Sequence, residues 1–225
     1  MADARSGAAA ALYGAKSASW PQKALMQVFS WGAVAAVVWF LLGGGRAAPV
    51  RAGLLIGCSG IYAARLVFTQ LYLVKRRMAW SEAATIAAWL WVIHGTMAFL
   101  GGRNPSPVGI AVWIGVALYV VGSVLNTGSE LLRDIWKKRP ENHGRLYTGG
   151  LFRYSMHINY FGDVVLFSGF ALVTGSAYAF VIPALMACMF VFVNIPMLDA
   201  YLASRYGEQF AGYAKHTAKL IPFVY

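Results

Sequence analysis

Six long apolar runs constrain this 225-residue chain more than any other feature. They cover about residues 25–42, 52–74, 83–100, 108–125, 164–174 and 177–198. The first four approach the ~20 residues that a helix needs to cross a ~30 Å hydrocarbon core. The last two read as a helical hairpin from Val164 to Leu198, punctuated by Thr174-Gly175-Ser176 and by Pro183. Lipid offers no partner to a bare backbone, so spans of this kind are helices. Charged residues make up 12% of the chain, about half the ~25% of a soluble domain. A disordered chain and an ordinary soluble globule are thereby excluded. The fold class is all-α: a polytopic integral membrane protein of one domain, residues 1–225, with about six transmembrane helices.

The charges give an orientation. Fifteen of the nineteen basic residues lie in alternate polar segments. They are Arg5, Lys16 and Lys23; Lys75, Arg76 and Arg77; Arg133, Lys137, Lys138, Arg139, Arg145 and Arg153; and Arg205, Lys215 and Lys219. The intervening turns hold Arg46, Arg51 and Arg103. The positive-inside rule then places both termini, the polar stretch 126–163 and the tail 199–225 in the cytoplasm. The membrane is expected to be a bacterial inner membrane or one of the endoplasmic-reticulum type. A net charge of +11 would suit nucleic acid, but the apolar runs exclude that partner. Residues 1–20 are Ala/Ser/Gly-rich and contain no apolar core of a signal peptide. Cys58 and Cys188 sit far apart within apolar runs and read as buried, inert thiols. No metal site is expected.

Three residues are costly where they stand. Arg65 lies well inside the second span, where a charge must face a cavity or a partner. Tyr62, three residues earlier, shares its helix face. His94 is mid-span in the third helix, where a satisfied interior histidine is the ordinary occupant. Acids are scarce, and none falls between residues 4 and 81. A partner for Arg65 must therefore come from a later helix or from an anionic ligand. The stretch 126–163 has the chemistry for such a ligand. It offers Asn126, Ser129, Glu130, Arg133, Lys137, Arg145, Asn159 and Asp163, with Gly149-Gly150 and the aromatics Tyr147, Phe152, Tyr154 and Tyr160. Guanidinium and ammonium groups bind phosphates. Amides and carboxylates bind ribose and base edges, and aromatic rings stack on them.

Two glycine patterns carry less. Gly43–Ala48 fits G-x-G-x-x-A but follows an apolar helix rather than a strand, so it is no dinucleotide fingerprint. Gly53 and Gly57 form a GxxxG pair, read as a helix-packing face.

At the C-terminal half the pattern becomes specific in combination. It comprises Tyr147-Thr148-Gly149-Gly150-Leu151-Phe152-Arg153-Tyr154, then Asn159-Tyr160-Phe161-Gly162-Asp163, then Tyr213 and Leu220-Ile221-Pro222-Phe223. This set resembles the steroid 5-alpha-reductase family, in its bacterial-type branch once called a domain of unknown function. The resemblance covers about residues 120–225 well. The first spans match more weakly, through Tyr62-x-x-Arg65 and the basic cluster at 75–77. It implies a membrane reductase that uses NADPH to reduce a carbon–carbon double bond conjugated to a carbonyl, in a steroid-like or other lipid. It assigns Asn126, Ser129, Glu130, Asn159 and Asp163 to the cofactor. It puts Arg65, Arg76, Lys137, Arg145 and Tyr213 near the phosphates or adenosine, with Arg133, Tyr147 and Arg205 completing the cofactor-side set. Tyr62 matches the tyrosine that hydrogen-bonds the substrate carbonyl, and His94 joins it as the second catalytic candidate. The chain departs from the family in two ways. The family's first span has no counterpart here. The steroid-reducing members also pair the tyrosine with a glutamate on the preceding helix, and here that helix offers only Lys23 and Gln27. The departures point to a different lipid or a different electrophilic pair.

Two other classes stand beside this one. One is a membrane methyltransferase of the isoprenylcysteine type using S-adenosylmethionine. That family carries Arg-His-Pro before its tyrosine, whereas Ser155-Met156-His157-Ile158-Asn159-Tyr160 lacks both the Arg and the Pro. The other is a non-catalytic lipid-binding or assembly protein.

Overall fold

The computed structural model describes residues 18–225. The opening segment, with Arg5 and Lys16, lies outside the described residues. Among the described residues the protein is all-helical, with no strand and one isolated bridge between Ser155 and Ala218. The helices are α1 (Trp20–Gly43), α2 (Pro49–Phe68), α3 (Trp80–Gly102), α4 (Ile110–Ser123), α5 (Ser129–Lys137), α6 (Ile158–Thr174), α7 (Val181–Met189), α8 (Ile195–Tyr206) and α9 (Glu208–His216). Proline stands in the first turn of α1 and of α2, where its missing N–H costs nothing. Gly175, at φ 69°, closes α6, and Gly207, at φ 51°, separates α8 from α9.

Three single wide turns interrupt the long helices. Thr69–Leu73 extends α2, Val124–Gly128 joins α4 to α5, and Phe190–Asn194 joins α7 to α8. The last has a visible cause: Pro196 brings no N–H to the ladder, and the turn before it rearranges. With these joins, five helices are long and apolar enough to cross a membrane: Trp20–Gly43, Pro49–Leu73, Trp80–Gly102, Ile110–Lys137 and Ala177–Tyr206. Ile158–Thr174 is a shorter apolar helix of 17 residues. Large side chains such as Trp39, Ile110 and Phe192 are at least three-quarters exposed on the outside. Lipid, not water, is the solvent that suits such a surface.

The boundaries correct the sequence reading in one informative place. The stretch 126–163 is not simply a polar loop. The fourth long helix runs on to Lys137, and α6 starts at Ile158. The fourth span was expected to end at 125, and the fifth to begin at 164. Asn126, Ser129, Glu130, Arg133, Lys137, Asn159 and Asp163 are thus all helical or in a helical turn. Similarly, the tail from 199 begins as helix, since α8 continues to Tyr206.

The most intimate pair is α4 against α6. Glycines seven apart on each helix meet antiparallel, Gly115 opposite Gly169 and Gly122 opposite Gly162. A Cβ on Gly122 would lie 2.3 Å from the Leu166 nitrogen, and one on Gly162 would lie 2.5 Å from the Asn126 nitrogen. Backbone touches backbone there, and the polar ends of the two helices are drawn together. The GxxxG pair behaves otherwise. A Cβ on Gly53 or Gly57 would meet nothing within 4 Å, so this face of α2 does not pack within the described chain. Cys58 is buried as expected, but Cys188 is exposed on the outside of α7.

One end of the bundle is fastened by Arg51. Its side chain is buried and donates to the carbonyls of Val173 (3.3 Å), Asn104 (2.8 Å) and Ser106 (2.7 Å). Asn104 in turn donates to Thr174 O and Gly175 O. The opposite end gathers the polar and basic segments. Lys75 pairs with Asp134, Lys138 donates to Tyr72, and Lys137 donates to Tyr206.

Candidate functional site

The site grows out of the α4–α6 contact. Because the glycines let the two backbones touch, Asn126 reaches across and donates to the Asn159 carbonyl at 3.0 Å. One turn further along α6 stands Asp163. From α2, Arg65 meets it at 3.2 Å, with side chains only 14% and 18% exposed. The partner of Arg65 is therefore an acid on a later helix. Of the two sources the sequence left open, a later helix and an anionic ligand, the structure shows the first. The pair is nonetheless incomplete. Arg65 Nη1 is buried without a hydrogen-bond partner. Glu130 lies close enough to interact with Asp163, and it pairs with Arg133 through one oxygen while its other, Oε1, is buried and unpartnered. A buried donor and a buried acceptor thus stand open around one carboxylate. Leaving either unpaired costs about 1–3 kcal/mol, and more for charged groups.

Tyr62 stands one turn from Arg65. Its ring lies 5.1 Å from that of Phe167 and 5.8 Å from that of His94, edge-on to the latter, and the Arg65 guanidinium sits 5.2 Å from its centre. The Tyr62 hydroxyl makes no hydrogen bond among the described residues. His94 is 1% exposed, with Nδ1 at 3.2 Å from Ser59 Oγ and Nε2 unpartnered. On the preceding helix, Lys23 donates to Val74 O and Gln27 donates to Gln70 Oε1.

The remaining expected residues fall outside this cluster or at its rim. Ser129 is buried and donates to Asn126 O at 2.9 Å, which supports the wide turn. Arg133 also lies over the Phe152 ring. Tyr147 stands between the rings of Trp136 (5.2 Å) and Phe152 (5.7 Å). Tyr213 donates to Phe152 O at 2.5 Å, which ties α9 to the Gly149-Gly150 turn. Burial, with Asp199 adding to it, holds the Tyr213 hydroxyl well above the usual tyrosine range. Lys137 and Arg205 are engaged with Tyr206 and Tyr201 respectively. Arg145 is exposed. Arg76 pairs with Glu82. Among the described residues no group of acids, histidines and cysteines could hold a metal ion.

Sequence reasoning missed a second buried pair. His157, 1% exposed, meets Asp199 at 2.8 Å and stacks on Tyr160, which stacks on Phe190. The chain around it is pinned by Met156 N–H to Ala218 O and by Ser155 Oγ to Leu220 O. The rarity of acids was the available signal, since Asp199 is one of eight.

Residues 83–217 match the family described as "Protein of unknown function (DUF1295)". The chain is 35% identical over 111 residues to 3-oxo-5-alpha-steroid 4-dehydrogenase 1 of Rattus norvegicus, which is 49% of this chain and 40% of that protein. It is 30% identical over 112 residues to 3-oxo-5-alpha-steroid 4-dehydrogenase 2 of Homo sapiens, 50% of this chain and 42% of that protein. It is 37% identical over 93 residues to the probable O-methyltransferase ustE of Ustilaginoidea virens, 40% of this chain and 32% of that protein. The chain spans less than half the length of each of these relatives. The match over residues 83–217 nevertheless covers more than half of the chain, which belongs to the DUF1295 family and has members of the steroid 5-alpha-reductase family among its relatives.

Proposed function

We propose that this protein is a membrane reductase that uses NADPH to reduce a carbon–carbon double bond conjugated to a carbonyl in a lipid. One observation carries the reading: the open donor Arg65 Nη1 and the open acceptor Glu130 Oε1, both buried beside Asp163. Hydroxyl and amide groups can accept from such an arginine and donate to such a carboxylate. NADPH presents ribose hydroxyls, a carboxamide and phosphates, so the residues present fit it. Arg65, Asn126, Glu130, Asn159 and Asp163 would hold it, with the basic side chains of the polar end beyond them. Bound NADPH supplies the hydride. The protein's part is position and electrostatics. Negative charge develops on the carbonyl oxygen as the double bond is reduced. Tyr62, fixed by Phe167 and polarised by the Arg65 cation, donates its hydroxyl proton in a hydrogen bond to that oxygen. The surrounding apolar helices exclude water, which strengthens that bond.

The test is direct. Purified protein in detergent should bind NADPH by calorimetry, and Asn159→Ala or Asp163→Ala should abolish binding. Full affinity in both variants would remove this site. The methyltransferase relative supports a second reading, with S-adenosylmethionine in the same region. Binding of that cofactor, with methyl transfer and no NADPH binding, decides for it.

A further inference from the structure

We infer that His94 is a second hydrogen-bond donor to the substrate's carbonyl oxygen, held in its donating form by Ser59; this rests on the reductase reading. A carbonyl oxygen has two lone pairs, and Tyr62 occupies one. The His94 ring stands edge-on to the Tyr62 ring, with centroids 5.8 Å apart. Its Nε2 is buried and has no partner. A polar atom left open in an apolar interior is expensive, and a group that completes it only when substrate is bound contributes where charge develops.

The tautomer follows from counting donors. Ser59 and His94 are each 1% exposed, and their mutual contact at 3.2 Å is the only hydrogen bond of either side chain among the described residues. If Ser59 donates to Nδ1, the proton of the ring sits on Nε2, and one donor is left open. If Nδ1 carries the proton and donates to Ser59, the serine O–H and the Nε2 lone pair are both left open. The first arrangement is the cheaper. It leaves an N–H at Nε2, a neutral imidazole able to donate. Ser59, on α2 three residues before Tyr62, is then a positioning residue. His94 keeps its proton throughout, and no bond to it is broken.

The experiment has two arms. In the first, protein labelled with ¹⁵N-histidine is studied in nanodiscs without ligand, with His94→Gln used to assign the signal. The His94 ring should show Nε2 protonated and Nδ1 bare, and Ser59→Ala should mix the tautomers. A ring protonated at Nδ1 in the wild-type protein overturns the inference. In the second, NADPH oxidation is followed with a 3-oxo-4-ene steroid and with shorter conjugated ketones. Glutamine places an amide N–H near the Nε2 position and asparagine near Nδ1. His94→Gln should stay within about tenfold of wild type. His94→Asn and His94→Phe should lose on the order of 10²–10³ in kcat with the Kd for NADPH unchanged. Equal kcat for the Gln, Asn and Phe variants overturns the role of His94 and leaves the reductase reading standing. A wild-type protein that binds no NADPH overturns that reading instead.

Discussion

At the scale of single residues, the Arg65–Asp163 pair serves two ends that experiment can separate. Removing one partner strands a charge in an apolar interior, at a cost of about 3–5 kcal/mol, while replacing both with apolar groups is often neutral. Asp163→Ala is therefore expected to lower the melting temperature as well as NADPH affinity. The double variant Arg65→Leu/Asp163→Leu should recover much of the melting temperature and none of the affinity. A double variant that regains both would mean the pair is purely structural. Tyr62 gives the complementary case. Its hydroxyl bonds nothing in the described chain, so Tyr62→Phe should leave folding and NADPH affinity as they are. Turnover of a conjugated ketone should fall on the order of 10²-fold. Unchanged kcat would remove Tyr62 from the chemistry.

At the scale of elements, the glycine register between α4 and α6 decides where the polar side chains meet. A Cβ at Gly122 would press on the backbone of α6 at 2.3 Å, whereas one at Gly53 would meet nothing. Gly122→Ala should cost about 1–3 kcal/mol or more in thermal unfolding, and it should weaken NADPH binding because it pushes Asn126 away from Asn159. Gly53→Ala should stay within about 0.5 kcal/mol of wild type. Equal effects would refute the register. This contrast also marks what the sequence makes legible. Apolar runs announce helices because lipid tolerates little else, and both glycine sets were equally visible. The GxxxG pair carried the familiar spacing and faces outward. The heptad pairs that bring the candidate site together carry no short motif, and only their antiparallel juxtaposition gives them meaning. The candidate site residues Tyr62, Arg65, Asn126, Glu130, Asn159 and Asp163 were legible as costly or resembling residues. The arginine's own partner was not, because 98 positions separate Arg65 from Asp163. Arg76 shows the converse: its partner Glu82 is only six residues away.

At the scale of the whole molecule, the two ends of the bundle differ in charge. Lys75, Lys137, Lys138 and Arg205 gather at one end with the candidate site, and Arg46, Arg51 and Arg103 stand at the other. The polar end should face the cytoplasm. Single cysteines at Lys215 and Arg46, in a background without Cys58 and Cys188, test this with a membrane-impermeant thiol reagent. Lys215→Cys should react in inverted vesicles and Arg46→Cys in right-side-out vesicles; the reverse pattern would refute the orientation. Span boundaries were legible to within about six residues except where two of the wide turns, Val124–Gly128 and Phe190–Asn194, carry helix on into polar sequence. Hydropathy falls there while the hydrogen-bond ladder continues, so composition and structure part company.

Arg51 finally bears on motion. One buried side chain holds the carbonyls of Val173, Asn104 and Ser106, so three crossings of the chain share a single rivet at that end. Helices pinned at this extremity can part, like the ribs of a fan, only by first breaking the Asn126–Asn159 and Arg65–Asp163 contacts that close the other. On the proposed reading, a lipid and a cofactor entering there would have to displace those contacts, with the rivet as the pivot.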